Sequence, residues 1–117
     1  MAKEPSLNSF SLGGHWDIRQ HEAVSGKDAT LSYHFHADKV FLVLRPGSAG
    51  AGAKVRVFLD GKPVDSANAG SDVKDGVITI DTARLYNLID LHGNKGNHLL
   101  RLEFENPGTE AFAFTFG

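Results

Sequence analysis

His34 and His36 are the first residues of this chain whose type and spacing could support chemistry. On an extended strand, residues two apart point to the same face, and two imidazoles on one face can share a metal ion. A tight metal site needs a third ligand, and no nearby Asp, Glu or His completes a recognised spacing. We therefore interpret the pair as part of a solvated strand face.

Two further segments match known ligand sites only in part. Residues 72–76 (DVKDG) place two aspartates in a predicted turn, where their carboxylates can cap backbone amides. A structural calcium site is the alternative, although the full calcium-loop pattern is absent. Residues 47–54 (GSAGAGAK) are rich in glycine, but the lysine comes one residue too late for a phosphate-binding loop and a predicted strand follows instead of a helix. No G-x-S-x-G nucleophile elbow occurs. The sequence therefore predicts no cofactor and no catalytic activity.

The composition excludes several functional classes. The chain has 117 residues, the size of one domain, and no cysteine, so disulfides, thiolate metal sites and thiol redox chemistry cannot arise within it. Twelve basic and fourteen acidic residues give a net charge of −2, which makes a nucleic-acid partner unexpected. The longest apolar run, residues 40–44, is far shorter than the about 20 residues of a membrane-spanning helix.

Apolar and polar residues alternate along most of the chain, which is the period-two pattern of half-buried strands. The alternation predicts strands at 16–19, 31–35, 55–59, 77–80, 85–90, 100–104 and 112–116. Residues 39–44 form a continuous apolar run, typical of a strand covered on both faces. Asp60 and Gly61 are typical of a type I′ hairpin turn. This arrangement predicts an all-β fold, an antiparallel β-sandwich or jelly roll of roughly eight or more strands.

Two sets of large apolar side chains are predicted to meet in the core, one at odd and one at even positions. The odd set comprises Leu31, Tyr33, Phe35, Val55, Val57 and Leu59, and the even set comprises Leu100, Leu102, Phe104, Phe112, Phe114 and Phe116. Burial is expected for Phe35, Val57, Leu102, Phe104 and Phe114.

A sugar site is the binding function that these residue types could best support. An aromatic ring can stack on the apolar face of a pyranose while polar side chains bond its hydroxyls. The ligand-binding candidates of these types are Trp16, His36, Asp60, Arg84 and Tyr86. Alternation places Arg84 and Tyr86 opposite Leu85, and His36 faces away from Phe35.

A structural interpretation of the same candidates is the alternative. Arg84 would then pair with a nearby acid such as Asp81 or Asp90. Tyr86 and Trp16 would be core or edge residues, and other candidates such as Asp60, which begins a hairpin turn, would hold local structure.

Six segments, taken in order, resemble one known family. They are 10–16 (FSLGGHW), 33–44 (YHFHADKVFLVL), 55–64 (VRVFLDGKPV), 70–77 (GSDVKDGV), 84–88 (RLYNL) and 102–117 (LEFENPGTEAFAFTFG). The ordered set resembles the C-terminal domain of DipZ-type proteins, the thioredoxin-like proteins linked to cytochrome c biogenesis. The resemblance implies a jelly roll similar to a carbohydrate-binding module. We assign this domain to residues 9–117 and a linker to residues 1–8.

The resemblance also implies a partner and a location. In the family this domain follows a thioredoxin-like domain with a C-x-x-C pair, often after a membrane-spanning electron-transfer domain, and lies in the periplasm or elsewhere outside the cytoplasm. Without cysteine, this chain is expected to be a non-catalytic accessory module that binds a cell-envelope glycan. The alternative is a packing module that positions the thioredoxin-like domain or its substrate. A large exposed aromatic platform would favour the sugar, and a contiguous apolar patch would favour packing.

Overall fold

The computed structural model describes residues 9–18, 23–94 and 96–116, so the predicted linker at 1–8 lies outside the described residues. The described part of the chain is almost entirely β-structure, with one short 3₁₀ turn at Gly47–Ala49. The strands are β1 (Ser9–Gly13), β2 (Trp16–Ile18), β3 (Ala23–Ser25), β4 (Thr30–Ala37), β5 (Lys39–Arg45), β6 (Ala53–Leu59), β7 (Lys62–Pro63), β8 (Val77–Ile80), β9 (Arg84–Asp90), β10 (Gly96–Phe104) and β11 (Glu110–Phe116).

These strands form two antiparallel sheets that pack face to face. The six-stranded sheet has the order β1-β4-β10-β6-β7, with β8 also paired to β6, and the five-stranded sheet has the order β2-β3-β11-β5-β9. Tight turns join several neighbours. At the turn after β6, Asp60 and Gly61 have φ values of 53° and 84°, as a type I′ turn requires. The predicted antiparallel β-sandwich is confirmed, and within the described residues no helix is long and apolar enough to cross a membrane.

The core lies between the two sheets, but its two halves are not the predicted ones. The six-stranded sheet contributes the odd set and the β10 half of the even set, because β4 and β6 pair with β10. The other half of the even set, Phe112, Phe114 and Phe116, lies on β11 of the five-stranded sheet. The facing side chains come mainly from β5 and β9 of the other sheet; they include Val40, Leu42, Leu44, Tyr86 and Leu88. Alternation along a strand indicates which face is apolar, and it does not indicate which sheet the strand joins.

The C-terminal strand departs most from its predicted pattern. The register between β11 and β5 shifts between Ala111 and Phe114, so a β-bulge interrupts the alternation. Phe114, predicted to be buried, is half-buried against the ring of Tyr33, with 4.8 Å between centroids. The ring of Phe112 lies 4.8 Å from the guanidinium of Arg45, outside the core. The side chain of Phe116 is outside the described part.

The apolar run on β5 is also less enclosed than predicted. Val40, Leu42 and Leu44 are 0–1% exposed, whereas Phe41 and Val43 on the other face are only half-buried. The strand is therefore central in its sheet, and its outer face is left partly open.

Candidate functional site

Tyr86 cannot offer a stacking ring, because the structure places it in the core. Its side chain is 1% exposed, and its hydroxyl donates a hydrogen bond to the carbonyl oxygen of Thr82 at 2.7 Å. The Arg84 guanidinium lies 4.0 Å from the ring centroid. The side chains of Tyr86 and Leu85 point to opposite faces of the sheet, as alternation predicts. The face that carries Tyr86, Leu42 and Leu88 packs against the other sheet.

Arg84 is engaged in a structural contact rather than facing an open surface. Its Nη2 donates to Asp72 Oδ1 at 2.7 Å, so the structural partner is Asp72 and neither of the two acids considered from the sequence. Asp72 Oδ2 also accepts a 2.7 Å hydrogen bond from the backbone amide of Asn87. The Arg84 hydrogen bond, assisted by the Asn87 amide and opposed by burial, holds the pKa of Asp72 below its usual value.

These contacts fasten residues 65–74 along the outer edge of β9. Gly70 donates its amide to Leu88 O at 3.0 Å, and Asp90 donates its amide to Asn68 O at 3.1 Å. The loop thereby covers backbone groups that an edge strand would otherwise leave open to pairing with another chain. Asp72 is therefore the side-chain anchor of this loop, and Asp75 lies in the turn before β8 with a φ of 54°.

Trp16 supports the fold from the edge of the five-stranded sheet. Its Nε1–H donates to the carbonyl oxygens of Gly13, at 2.8 Å, and Thr30, at 3.2 Å. Its ring meets Phe104 edge to face, with centroids 5.1 Å apart. The indole is therefore a half-buried structural group and not a free platform.

His36 and Asp60 lie toward the same end of the six-stranded sheet. His36 Nδ1 is 2.5 Å from Asn97 Oδ1, and Asp60 Oδ2 is 2.5 Å from His98 Nδ1. Asp60 Oδ1 also accepts the amide of Leu99 at 2.9 Å, so this carboxylate holds its turn against β10. No three His, Asp or Glu side chains of the described residues are grouped to hold a metal ion. The five sequence candidates therefore divide between two sheets and do not form one site.

A different set of residues surrounds a depression at the opposite end of the six-stranded sheet. Its volume is about 360 Å³. The lining residues are Asp28, Ala29, Thr30, Arg56, Arg101, Glu103, Phe104 and Glu105. Six steps along β4 separate Thr30 from His36, so the depression lies roughly 20 Å from that candidate.

Two ion pairs arrange the polar side chains of this depression. Arg56 Nε donates to Glu105 Oε2 at 2.9 Å, and Arg101 Nε donates to Glu103 Oε2 at 3.2 Å. The Glu105 hydrogen bond raises the pKa of Arg56, a guanidinium that is charged at neutral pH in any case. Phe58, half-buried on the same outer face, is the cross-strand partner of Arg101. Fixed donors and acceptors beside a half-exposed ring can bond hydroxyl groups and stack on an apolar face.

The sequence carries a local signal for the residues that surround the depression. Arg56 and Phe58 alternate with buried Val57, and Arg101 and Glu103 alternate with buried Leu102, so all four side chains are predicted to face outward. Only the pairing of β6 with β10 brings the two groups together.

The outer face of the five-stranded sheet carries an apolar surface, in contrast to the polar depression on the six-stranded sheet. Val43 is the cross-strand partner of Leu85, which is 43% exposed, and half-buried Phe41 is two residues from Val43 on the same face. Phe112 continues this surface beneath Arg45. We call Phe41, Val43, Leu85 and Phe112 the apolar strip.

Comparisons with known proteins support the fold. Residues 1–117 match the family described as thioredoxin like C-terminal domain. Two solved structures of a family two carbohydrate esterase from Clostridium thermocellum, one in complex with cellohexaose and one of an active-site mutant, have TM-scores of 0.71 at 14% identity and cover 93% and 94% of this chain. This chain spans 31% of each esterase chain, so the likeness concerns about a third of those proteins and establishes the fold alone. No curated protein matches the sequence.

Proposed function

Because this chain belongs to the family of thioredoxin-like C-terminal domains, we propose that it is a non-catalytic accessory module of a thioredoxin-like redox protein and that it binds a carbohydrate. The parent protein is of the DipZ type in this proposal, and the module acts outside the cytoplasm, where cell-envelope glycans lie. The chain contains no cysteine, so thiol–disulfide exchange belongs to the thioredoxin-like domain of the parent.

The depression on the six-stranded sheet is the observation that carries the carbohydrate proposal. Arg56 and Arg101 are held in place by their own carboxylate partners, so their remaining N–H groups keep a defined direction. Fixed polar groups lose less conformational entropy when a ligand binds. The half-buried ring of Phe58 supplies an apolar surface beside them. The esterase with the same fold was solved with cellohexaose, which makes that oligosaccharide a suitable first probe.

Replacing Arg101 by alanine is expected to weaken glycan binding about tenfold, the effect of losing one hydrogen bond to a charged donor. The unfolding temperature should change little, because a half-exposed ion pair contributes little stability. Binding is measured by titrating cellohexaose and a panel of cell-wall glycans while following the fluorescence of Trp16, the chain's single tryptophan. Trp16 suits this purpose because it contacts Thr30 and Phe104, which line the depression.

The matched control is Arg45→Ala on the outer face of the other sheet. Arg45 also forms an ion pair with a glutamate, Glu110, at 2.6 Å, and its side chain is 44% exposed compared with 41% for Arg101. The control should bind as the unaltered chain does. Equal losses in both variants, or no glycan response in the unaltered chain, would contradict the carbohydrate proposal.

Packing against the thioredoxin-like domain of the parent is the second candidate function, and the apolar strip favours it. Among the side chains that the structure describes, the large apolar groups exposed to solvent are those of Ile18 and Leu85, and neither is aromatic. Leu85 lies beside Val43 and Phe41 in one contiguous surface, whose burial against another domain would be favourable.

Replacing Leu85 by aspartate is expected to abolish docking of the parent's thioredoxin-like domain, since a charge in an apolar contact loses its hydration. Docking is measured by NMR shifts of this chain on addition of that domain, which should appear at Phe41 and Val43. Ile18→Asp is the control, because Ile18 is 64% exposed but lies on β2 at the other edge of the same sheet. Shifts that survive Leu85→Asp, or that centre on the six-stranded sheet, would exclude this docking face.

A further inference from the structure

The charges that line the depression do not balance. Arg56 is offset by Glu105 and Arg101 by Glu103, each pair joined by a hydrogen bond. A third carboxylate, that of Asp28, lines the same depression. The two arginines therefore face three carboxylates, and the excess charge is negative.

Asp28 holds its position through the backbone rather than through its side chain. It lies in the turn before β4 with a φ of 56°, and the neighbouring carbonyl of Lys27 accepts the amide of His15 at 3.0 Å. A Cβ on Gly14 would come within 2.0 Å of the Asp28 carbonyl oxygen, so the two segments are in close contact. Within residues 9–18, 23–94 and 96–116, no side chain forms an ion pair or hydrogen bond with its carboxylate.

We propose that the depression selects sugars by charge, taking amino sugars most tightly, neutral sugars less tightly and uronic acids least. A protonated amine would pair with Asp28 without displacing either arginine from its own partner. A sugar carboxylate would face three carboxylates, and it would have to compete with Glu103 or Glu105 for a guanidinium. This inference rests on the proposed carbohydrate binding and adds the ligand class to it.

The test compares oligomers of equal length made of glucosamine, glucose (cellohexaose) and galacturonic acid. Titrations are done at mildly acidic pH, where the amine is protonated, and at low ionic strength, where exposed charges are least screened. One exposed ion pair corresponds to a preference of about two- to fivefold, so glucosamine oligomers should bind tighter than cellohexaose by that factor. Galacturonate oligomers should bind more weakly than cellohexaose.

The Asp28→Asn variant tests whether the Asp28 carboxylate causes the preference for glucosamine oligomers. Asparagine tolerates the same left-handed backbone, so the turn should persist. The variant should lose the preference for glucosamine oligomers over cellohexaose. Asp75→Asn is the matched control, because Asp75 is also exposed in a turn, with a φ of 54°, and does not line the depression.

The outcomes separate this inference from the proposed function. Cellohexaose binding without a glucosamine preference, a preference that survives Asp28→Asn, or tighter binding of galacturonate would overturn the charge selection and leave carbohydrate binding intact. Failure of all three oligomers to bind the unaltered chain would overturn both.

Discussion

Replacing Phe35 by alanine is expected to lower the free energy of unfolding by about 3–5 kcal/mol, the cost of removing a buried phenylalanine ring. Phe35 is 0% exposed at the centre of β4, and its ring lies 5.9 Å from that of His98 on β10. β4 pairs with β10 across Phe35 and with β1 as far as His34, which restricts movement of the surrounding strands into the space. The measurement is chemical denaturation followed by circular dichroism.

Phe114→Ala is the matched control for this prediction. The same ring is removed, but Phe114 is only half-buried where it packs against Tyr33. Its loss should cost less than half as much, because the ring already contacts solvent in the folded state. Equal destabilisation by the two substitutions would mean that the partial exposure of the Phe114 ring does not reduce its contribution to stability.

Asp72→Asn is expected to lower the free energy of unfolding by about 1–2 kcal/mol at neutral pH. The carboxylate accepts charge-assisted hydrogen bonds from Arg84 and from the Asn87 amide, each 2.7 Å long. Such bonds contribute more than neutral ones, although partial exposure of Arg84 reduces the gain. Asp81→Asn serves as the control, because Asp81 is exposed and accepts no hydrogen bond from the described residues.

The same two variants, Asp72→Asn and Asp81→Asn, test how the free energy of unfolding depends on pH. The pKa of Asp72 is lower in the folded chain than its ordinary value of 3.8, so its ionised form is favoured by folding. Its contribution is therefore complete above that value and is lost as the pH falls through the lower, folded-state pKa. The stability difference between the unaltered chain and Asp72→Asn should stay constant near neutral pH and narrow below about pH 4. A difference independent of pH across that range would show that the carboxylate charge does not act at this position.

Local features of the chain were sufficient for most strands and for one turn. Val55 and Val57 alternate with polar neighbours, and both are fully buried. The Asp60–Gly61 turn follows from residues that tolerate positive φ, a property that needs no tertiary contact. The strand predicted at 85–90 forms as β9, whose backbone partners include Phe41, Leu42 and Val43 of β5.

The candidate site was harder to predict from the sequence, because ligand-binding surfaces combine side chains from strands that are distant in sequence. Alternation predicted that Arg84 and Tyr86 share a side, but it did not distinguish a core-facing side from a solvent-facing one. The pairing of Arg56 with Glu105 joins positions 49 residues apart. The period-two pattern along one strand does not indicate which residue of a distant segment lies beside it.

The sequence by itself determined the class of the fold, the absence of thiol chemistry and the apolar face of most strands, since each follows from composition or from period-two alternation. The tertiary structure alone decided that β4, β6 and β10 share one sheet, that a bulge in β11 pairs Phe114 with Leu42 of β5, and that Asp72 anchors a loop to β9. It also decided where the depression lies. The physical reason is that strand pairing depends on contacts between remote segments, whereas alternation and turn chemistry act between neighbours along the chain.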